Sequence, residues 1–246
     1  MNTVKHGRSL ARNVLSMVGL LDAARVVARE VHTQRQNLLS ADRLAPIYRS
    51  EYHESVGYGS LSAQESPWES DAVIKAAHAQ AIIAILPGLR RVLIGGCSSG
   101  MAVLAFRNVG VDAWGFDISP DLERIVLPEV RPYIRSGSMT DIPFDERDKF
   151  DCLVTTDVLE HVQLKNMNTM CQEIARIATR WMVHLINHTS IQPDHMTLRP
   201  LSWWVGRFQA IQYSLRRDLK VGIASNPRIY GLNGDPAHAF TFWERQ

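Results

Sequence analysis

The chain has 246 residues, enough for one sizeable α/β domain with an added segment and short for two full domains. Its 46% hydrophobic and 21% charged residues are those of an ordinary globule, and a formal charge of +2 gives none of the basic footprint of nucleic-acid binders. The three cysteines, Cys97, Cys152 and Cys171, are odd in number without CxxC spacing, which argues for a reducing compartment rather than a disulfide scaffold or zinc cluster.

From Ser9 to Gln36 the apolar residues Leu10, Val14, Met17, Val18, Leu21, Ala24 and Val27 recur at threes and fours. That spacing predicts an amphipathic helix, or two broken near Gly19. Lys5, Arg8 and Arg12 precede the first acid, Asp22, so contact with a membrane surface is one option. Packing on its own domain is the other. The stretch lacks a long apolar core and a small-residue cleavage site, and no apolar run is long enough for a span. The expectation is a cytoplasmic protein that keeps its N-terminus.

Residues 48–68 are aromatic, polar and aperiodic, and read as a lid-like loop or as tyrosines packing the extension onto the core. The domain organisation read from this is a helical extension and lid over 1–70 and a main domain over 71–246. From Asp71 onward strands and helices alternate. A helix ends at Pro87-Gly88, RRVLIGG is a strand, and SSGMAVLAFRNVG is a helix ended by Gly110. VDAWGFDIS is a second strand, PDLERIVLPEV a helix starting at proline, and RPYIRSGSM a weak third strand. FDCLVTT is a fourth strand with a helix from about Asp157, then MNTMCQEIARIATR is helical and WMVHLIN is a fifth strand. This alternation predicts a parallel sheet with helices on both faces. PLSWWVGRFQAI reads as a helix, and YSLRRDLKVGI and AHAFTFWERQ as an antiparallel hairpin at one edge.

VLIGGCSSG puts a glycine-rich turn between a buried strand and a helix, where an open parallel sheet binds ligands. No register of it supplies the G-x-G-x-x-G of a dinucleotide site. Gly96-Cys97-Ser98-Ser99-Gly100 does satisfy G-x-S-x-G, the nucleophile elbow of α/β-hydrolases. That elbow, however, follows several earlier strands, whereas residues 1–90 read as helices and loop, with no HGGG-type oxyanion loop. Asp117, at the end of the next strand, decides against it. A carboxylate there accepts hydrogen bonds from both hydroxyls of a ribose, and a hydrolase has no use for it. Capping the helix at Pro120 is its plainer role.

From Val92 to Val162, with a weaker tail to Gln246, the chain resembles the class I, Rossmann-like S-adenosylmethionine-dependent methyltransferases, of the small-molecule or glycan type. VLIGGCSSG resembles their first motif and GFDIS their second. GSMTDIPF is similar to their G-D-A-x-x-L-P-F, and FDCLVTTDVLEHV to their fourth strand and the segment after it. The resemblance implies an open, mostly parallel seven-stranded α/β sheet with helices on both faces, a terminal antiparallel strand and, in front of it, the helical extension. It implies S-adenosylmethionine as cofactor and S-adenosylhomocysteine as product. The residues it places on the cofactor are Gly95, Gly96, Cys97, Ser98, Gly100, Asp117, Ile118, Ser138, Met139 and Asp157. Three positions depart from the pattern: Ile94 replaces the acid of the first motif, Ser98 its middle glycine, and Ser138 the acid beside the adenine contact. A catalytically silent descendant acting as a partner subunit is therefore a competing reading. An RNA methyltransferase is another, and the near-neutral charge speaks against it.

An alcohol acceptor needs a base at the carboxyl ends of the fourth and fifth strands. Asp157, Glu160 and His161 follow the fourth, and His184, His188, Asp194 and His195 end or follow the fifth, in a loop resembling one of glycan and small-molecule methyltransferases that precedes a P-x-x-W-W helix. The expected base is His195, with His188 and Asp157 next. Asp157-x-x-Glu160-His161 is also similar to the Glu-x-x-Glu-His of methyltransferases that bind a divalent ion. Asp157, Glu160, His161 and His195 are thus metal candidates, although the same residues cap or pack the segment in metal-free relatives. Trp203 and Trp204 are offered as an aromatic wall for the acceptor or as core. The acceptor expected is a hydroxylated small molecule or a glycan, not a nucleic acid, and O-methylation the expected reaction.

Overall fold

The computed structural model describes residues 20–38, 48–49, 67–186, 191–192, 194–219 and 240–246. Helix α1 spans Leu20–Asn37 and α2 spans Pro67–Ile85. Strand β1 (Arg91–Gly95), helix α3 (Met101–Asn108), strand β2 (Asp112–Asp117), the single turn α4 (Leu122–Ile125) and strand β3 (Ile134–Ser136) follow. Then come β4 (Phe150–Thr156), α5 (Met167–Ile177), β5 (Ala178–Leu185), α6 (Leu201–Gln209), β6 (Tyr213–Leu215) and β7 (Phe240–Arg245).

The seven strands form one sheet in the order β3-β2-β1-β4-β5-β7-β6. Strands β1 to β5 pair in parallel, and β7 lies antiparallel to both neighbours. Alternation along each strand splits the core in two. Val92, Ile94, Cys152, Val154 and Val183 point to one face, against Ala79, Ile82, Val103 and Phe106 of α2 and α3. Leu93, Phe116, Leu153 and Met182 point to the other, against Met170, Ile174, Trp204 and Phe208 of α5 and α6. The strand order reverses between β2 and β4 on either side of β1, and at such a point the carboxyl ends of strands open a crevice.

Two expected helices depart from the sequence pattern. PDLERIVLPEV gives only α4, because Val126 turns extended (φ −72°, ψ 133°) and Leu127 precedes Pro128, which disfavours helix in the residue before it. Leu127 instead donates its N–H to the Ser99 carbonyl. No α-helix starts at Asp157 either. Its backbone is left-handed (φ 52°), and its N–H continues the β4–β5 pairing by bonding the Leu185 carbonyl. Single 3-10 turns at Leu159–His161 and Leu164–Asn166 lead into α5.

The N-terminal helix is described from Leu20 on, and the lid reading of 48–68 lies almost wholly outside the described residues. Helix α2 begins at Pro67 and runs unbroken across the expected boundary at 70/71. The carboxyl half of α1 is tied to the main domain by polar bonds. Thr33 accepts the Leu198 N–H, Asn37 donates to the Met196 carbonyl, and Glu30 pairs with Arg199. Among the described residues no helix is long and apolar enough to cross a membrane.

Candidate functional site

A cavity of about 450 Å³ opens at the carboxyl ends of the strands. This volume lies within the range of sites for small molecules and cofactors. Its floor is the turn after β1, with Gly95, Gly96, Cys97 and Ser98 lining it. Three backbones in this turn are left-handed: Gly96 (φ 66°), Ser98 (φ 49°) and Gly100 (φ 84°). A Cβ at Gly96 would lie 2.5 Å from the Val158 side chain, so the glycine is required by the packing of the segment after β4 as well as by its φ. Gly100 does not line the cavity. A Cβ there would meet Ile134 and Val130, and its role is to let α3 start close to β3.

Asp117 ends β2 with 5% of its surface exposed. One carboxylate oxygen accepts the Ser98 N–H and the other the Ser119 N–H, both at 2.8 Å. The carboxylate therefore fixes the glycine turn, and each oxygen keeps a further lone pair for a ligand. It does not cap α4, whose N-terminus has no side-chain cap. Ile118 follows, an apolar side chain 40% exposed at the cavity wall.

The loop after β3 brings Ser138 and Met139 to the same cavity. Ser138 bonds Thr140 at 2.9 Å, and Met139 is buried. Helix α5 clamps this loop. Glu173 accepts the Ile142 N–H at 2.8 Å, and Arg176 donates to the carbonyls of Ile142 and Phe144. The Arg176 guanidinium holds the Glu173 carboxyl below its ordinary range.

Thr156, Asp157, Val158 and His161 form the wall beyond β4, facing Gln192 and His195 from the segment after β5. The ring of His161 meets that of His195 edge to face at 4.9 Å. His161 Nδ1 lies 3.0 Å from the Asp194 carbonyl oxygen and 3.5 Å from its carboxylate, both acceptors, so Nδ1 donates to them. The Tyr48 hydroxyl is 3.1 Å from the same nitrogen. Glu160, His161 and His195 each offer a ligand atom, all within 4.8 Å of one another, and the Glu160 side chain is fully buried. Asp157 lies outside that group.

The remaining sequence candidates sit elsewhere. His188 is outside the described residues. His184 does not line the cavity. It is fully buried, bonds Thr155 at 2.7 Å, and burial pulls its imidazole down to about 3. Neither Trp203 nor Trp204 lines the cavity, which corrects the aromatic-wall reading: Trp204 is core, and Trp203 packs under Arg207. Asp71, Lys75, Gln163 and Asn166 also line it, and none of them stood out from the sequence. Asp71 and Lys75 carry no motif, and Gln163 and Asn166 fall in a stretch that reads as the middle of a helix.

Residues 93–180, just over a third of the chain, match the family model of the methyltransferase domain. No curated protein sequence matches. Among solved structures, the magnesium protoporphyrin IX methyltransferase of Synechocystis PCC 6803, with bound SAH, has a TM-score of 0.60 at 14% identity, over 84% of this chain and 100% of that one. The YcgJ protein of Bacillus subtilis has a TM-score of 0.52 at 16% identity, over 69% and 99%. A SAM-dependent methyltransferase of Archaeoglobus fulgidus has 0.52 at 12% identity, over 71% and 94%. These likenesses are ones of fold. The matched residues lie on a seven-stranded, mostly parallel Rossmann-like sheet. Among the described residues no strand precedes β1.

Proposed function

We propose that this protein is an S-adenosylmethionine-dependent methyltransferase acting on a hydroxyl group of a small molecule or glycan. The observation that carries this reading is that one cavity joins the Asp117-braced glycine turn to a wall of two histidines. When bound, S-adenosylmethionine supplies a methyl group on an activated sulfonium. The protein then has to align the acceptor, exclude water and remove the hydroxyl proton. Asp117 accepts hydrogen bonds from the ribose hydroxyls with its remaining lone pairs, and Ile118 and Met139 offer apolar surface to the adenine. His195 takes the acceptor's proton, and His161, oriented by Asp194, supports it from the same wall.

A second reading is favoured by the convergence of Glu160, His161 and His195. One carboxylate and two imidazoles suit a divalent first-row ion. These three residues would hold the ion, which would polarise the acceptor oxygen.

Calorimetry with S-adenosylhomocysteine, followed by assay of its release from S-adenosylmethionine against panels of hydroxylated metabolites, glycans and RNA, tests the proposal. Binding and turnover with a small hydroxylated acceptor support it. Turnover with RNA alone replaces the acceptor class, and absence of cofactor binding replaces the enzyme with a silent partner protein.

A further inference from the structure

Two charged residues on α2 reach the cavity from above the glycine turn. Asp71 and Lys75 stand one helical turn apart, with Lys75 Nζ 3.9 Å from Asp71 Oδ1 and only 24% and 12% of their side chains exposed, Lys75 first. Exposed i, i+4 pairs of this kind are common solvent decoration. This pair instead lines the cavity. Burial raises the Asp71 carboxyl, with Lys75 opposing that shift.

The fold fixes which end of a bound ligand they meet. Asp117, Ile118, Ser138 and Met139 lie past β2 and β3, on one side of the turn. Helix α2 packs on α3, whose first residues Met101 and Ala102 line the cavity directly after the turn. A nucleoside held at Asp117 therefore directs its 5′ substituent over the turn toward α2 and α3. In S-adenosylmethionine that substituent ends in an α-ammonium and an α-carboxylate, and both ions need partners when taken from water. Strand β1 supplies none, because position 94 is an isoleucine packed in the sheet core. Among the described residues lining the cavity, Lys75 is the sole lysine or arginine.

We propose that Asp71 and Lys75 form the receptor for the amino-acid end of the cofactor, Asp71 accepting from its ammonium and Lys75 donating to its carboxylate. The pair opens to admit the zwitterion, exchanging one 3.9 Å contact for two complementary ones. This assignment rests on the cofactor reading above and explains how the chain dispenses with an acid at position 94.

The test compares S-adenosylhomocysteine with 5′-methylthioadenosine, which keeps the nucleoside and thioether and lacks the amino-acid end. The wild-type protein should bind the first more tightly by about tenfold or more. Lys75→Met and Asp71→Asn should each cost S-adenosylhomocysteine about tenfold while 5′-methylthioadenosine stays within about twofold, and Lys75→Arg should retain most of the affinity. The methylthioadenosine arm reports folding in the same experiment. Equal wild-type affinity for the two ligands, or variants that lose both alike or neither, overturns the assignment and leaves the cofactor reading standing. A wild-type protein that binds neither ligand overturns both.

Discussion

The imidazole Nε2 of His32, on α1, donates a hydrogen bond of 2.9 Å to the backbone carbonyl of His195, 163 residues away in sequence. The bond lands on the residue expected to take the acceptor's proton. Together with Thr33 and Asn37 it holds the segment after β5 at the cavity wall. Residues 20–37 thus serve as a brace for the candidate site.

His32→Ala should loosen His195 without touching the nucleoside end of the cavity. Turnover should fall by about tenfold, while S-adenosylhomocysteine affinity stays within about twofold. Steady-state kinetics beside calorimetry checks this. An equal loss in both quantities would mean that α1 supports the whole domain instead.

Asp117→Ala removes both the brace on the turn and the ribose contact. A charge-assisted pair of roughly 2–3 kcal/mol corresponds to about 30- to 150-fold weaker binding of S-adenosylhomocysteine. The melting temperature should drop as well, because the N–H groups of Ser98 and Ser119 lose their acceptor. Unchanged affinity would remove Asp117 from the ribose site.

Ser98 holds a left-handed backbone with a side chain that disfavours it. Ser98→Gly should stabilise the protein by about 1 kcal/mol, read as a higher melting temperature. Gly96→Val should fail even before ligand is added, since its side chain collides with Val158. A Ser98→Gly protein that melts lower would show that the hydroxyl is needed in the turn.

His195→Ala should lower turnover by about 100- to 10,000-fold at nearly constant cofactor affinity. Chelation separates the two readings of the histidine wall. If activity survives a strong chelator, the base reading holds. If activity is lost and returns with a divalent ion, and Glu160→Gln is as damaging as His195→Ala, the metal reading replaces it.

His184 gives a stability signature independent of catalysis. Its pKa is depressed to about 3 by burial, so between about 6.5 and 3 the unfolded chain binds a proton that the folded chain refuses. Stability is fully present above about pH 6.5 and falls as the pH drops, by at most about 1.4 kcal/mol per unit from this group. Chemical denaturation at pH 7 and pH 5 should show a smaller loss for His184→Gln than for the wild type. Equal losses would mean that His184 is protonated in the folded state.

The strands were legible because alternating or continuous apolar runs bounded by Gly and Pro leave few alternatives. Gly96 and Asp117 were legible because a tight turn and a strand-end acid carry composition signals. The 3-10 turns after β4 were not, since VLEHV repeats at helical spacing while the left-handed Asp157 that prevents the helix leaves no mark in composition. Asp71 and Lys75 were hidden for a related reason. A charged pair four apart on a helix looks the same in sequence whether it faces water or a cavity. The orientation of His161 was not legible, because the carbonyl and carboxylate that hold it come from Asp194, far along the chain.

Strand β7 lies between β5 and β6, so the sheet is completed out of chain order. During vectorial synthesis the outer edge of β5 and the strand β6 lack the partner they pair with here until residues 240–245 have left the ribosome. Until then the nascent chain presents an unpaired strand edge, the kind of surface to which another strand can add. A ribosome stalled before Phe240 would therefore expose the edge of β5 that β7 covers in the folded sheet.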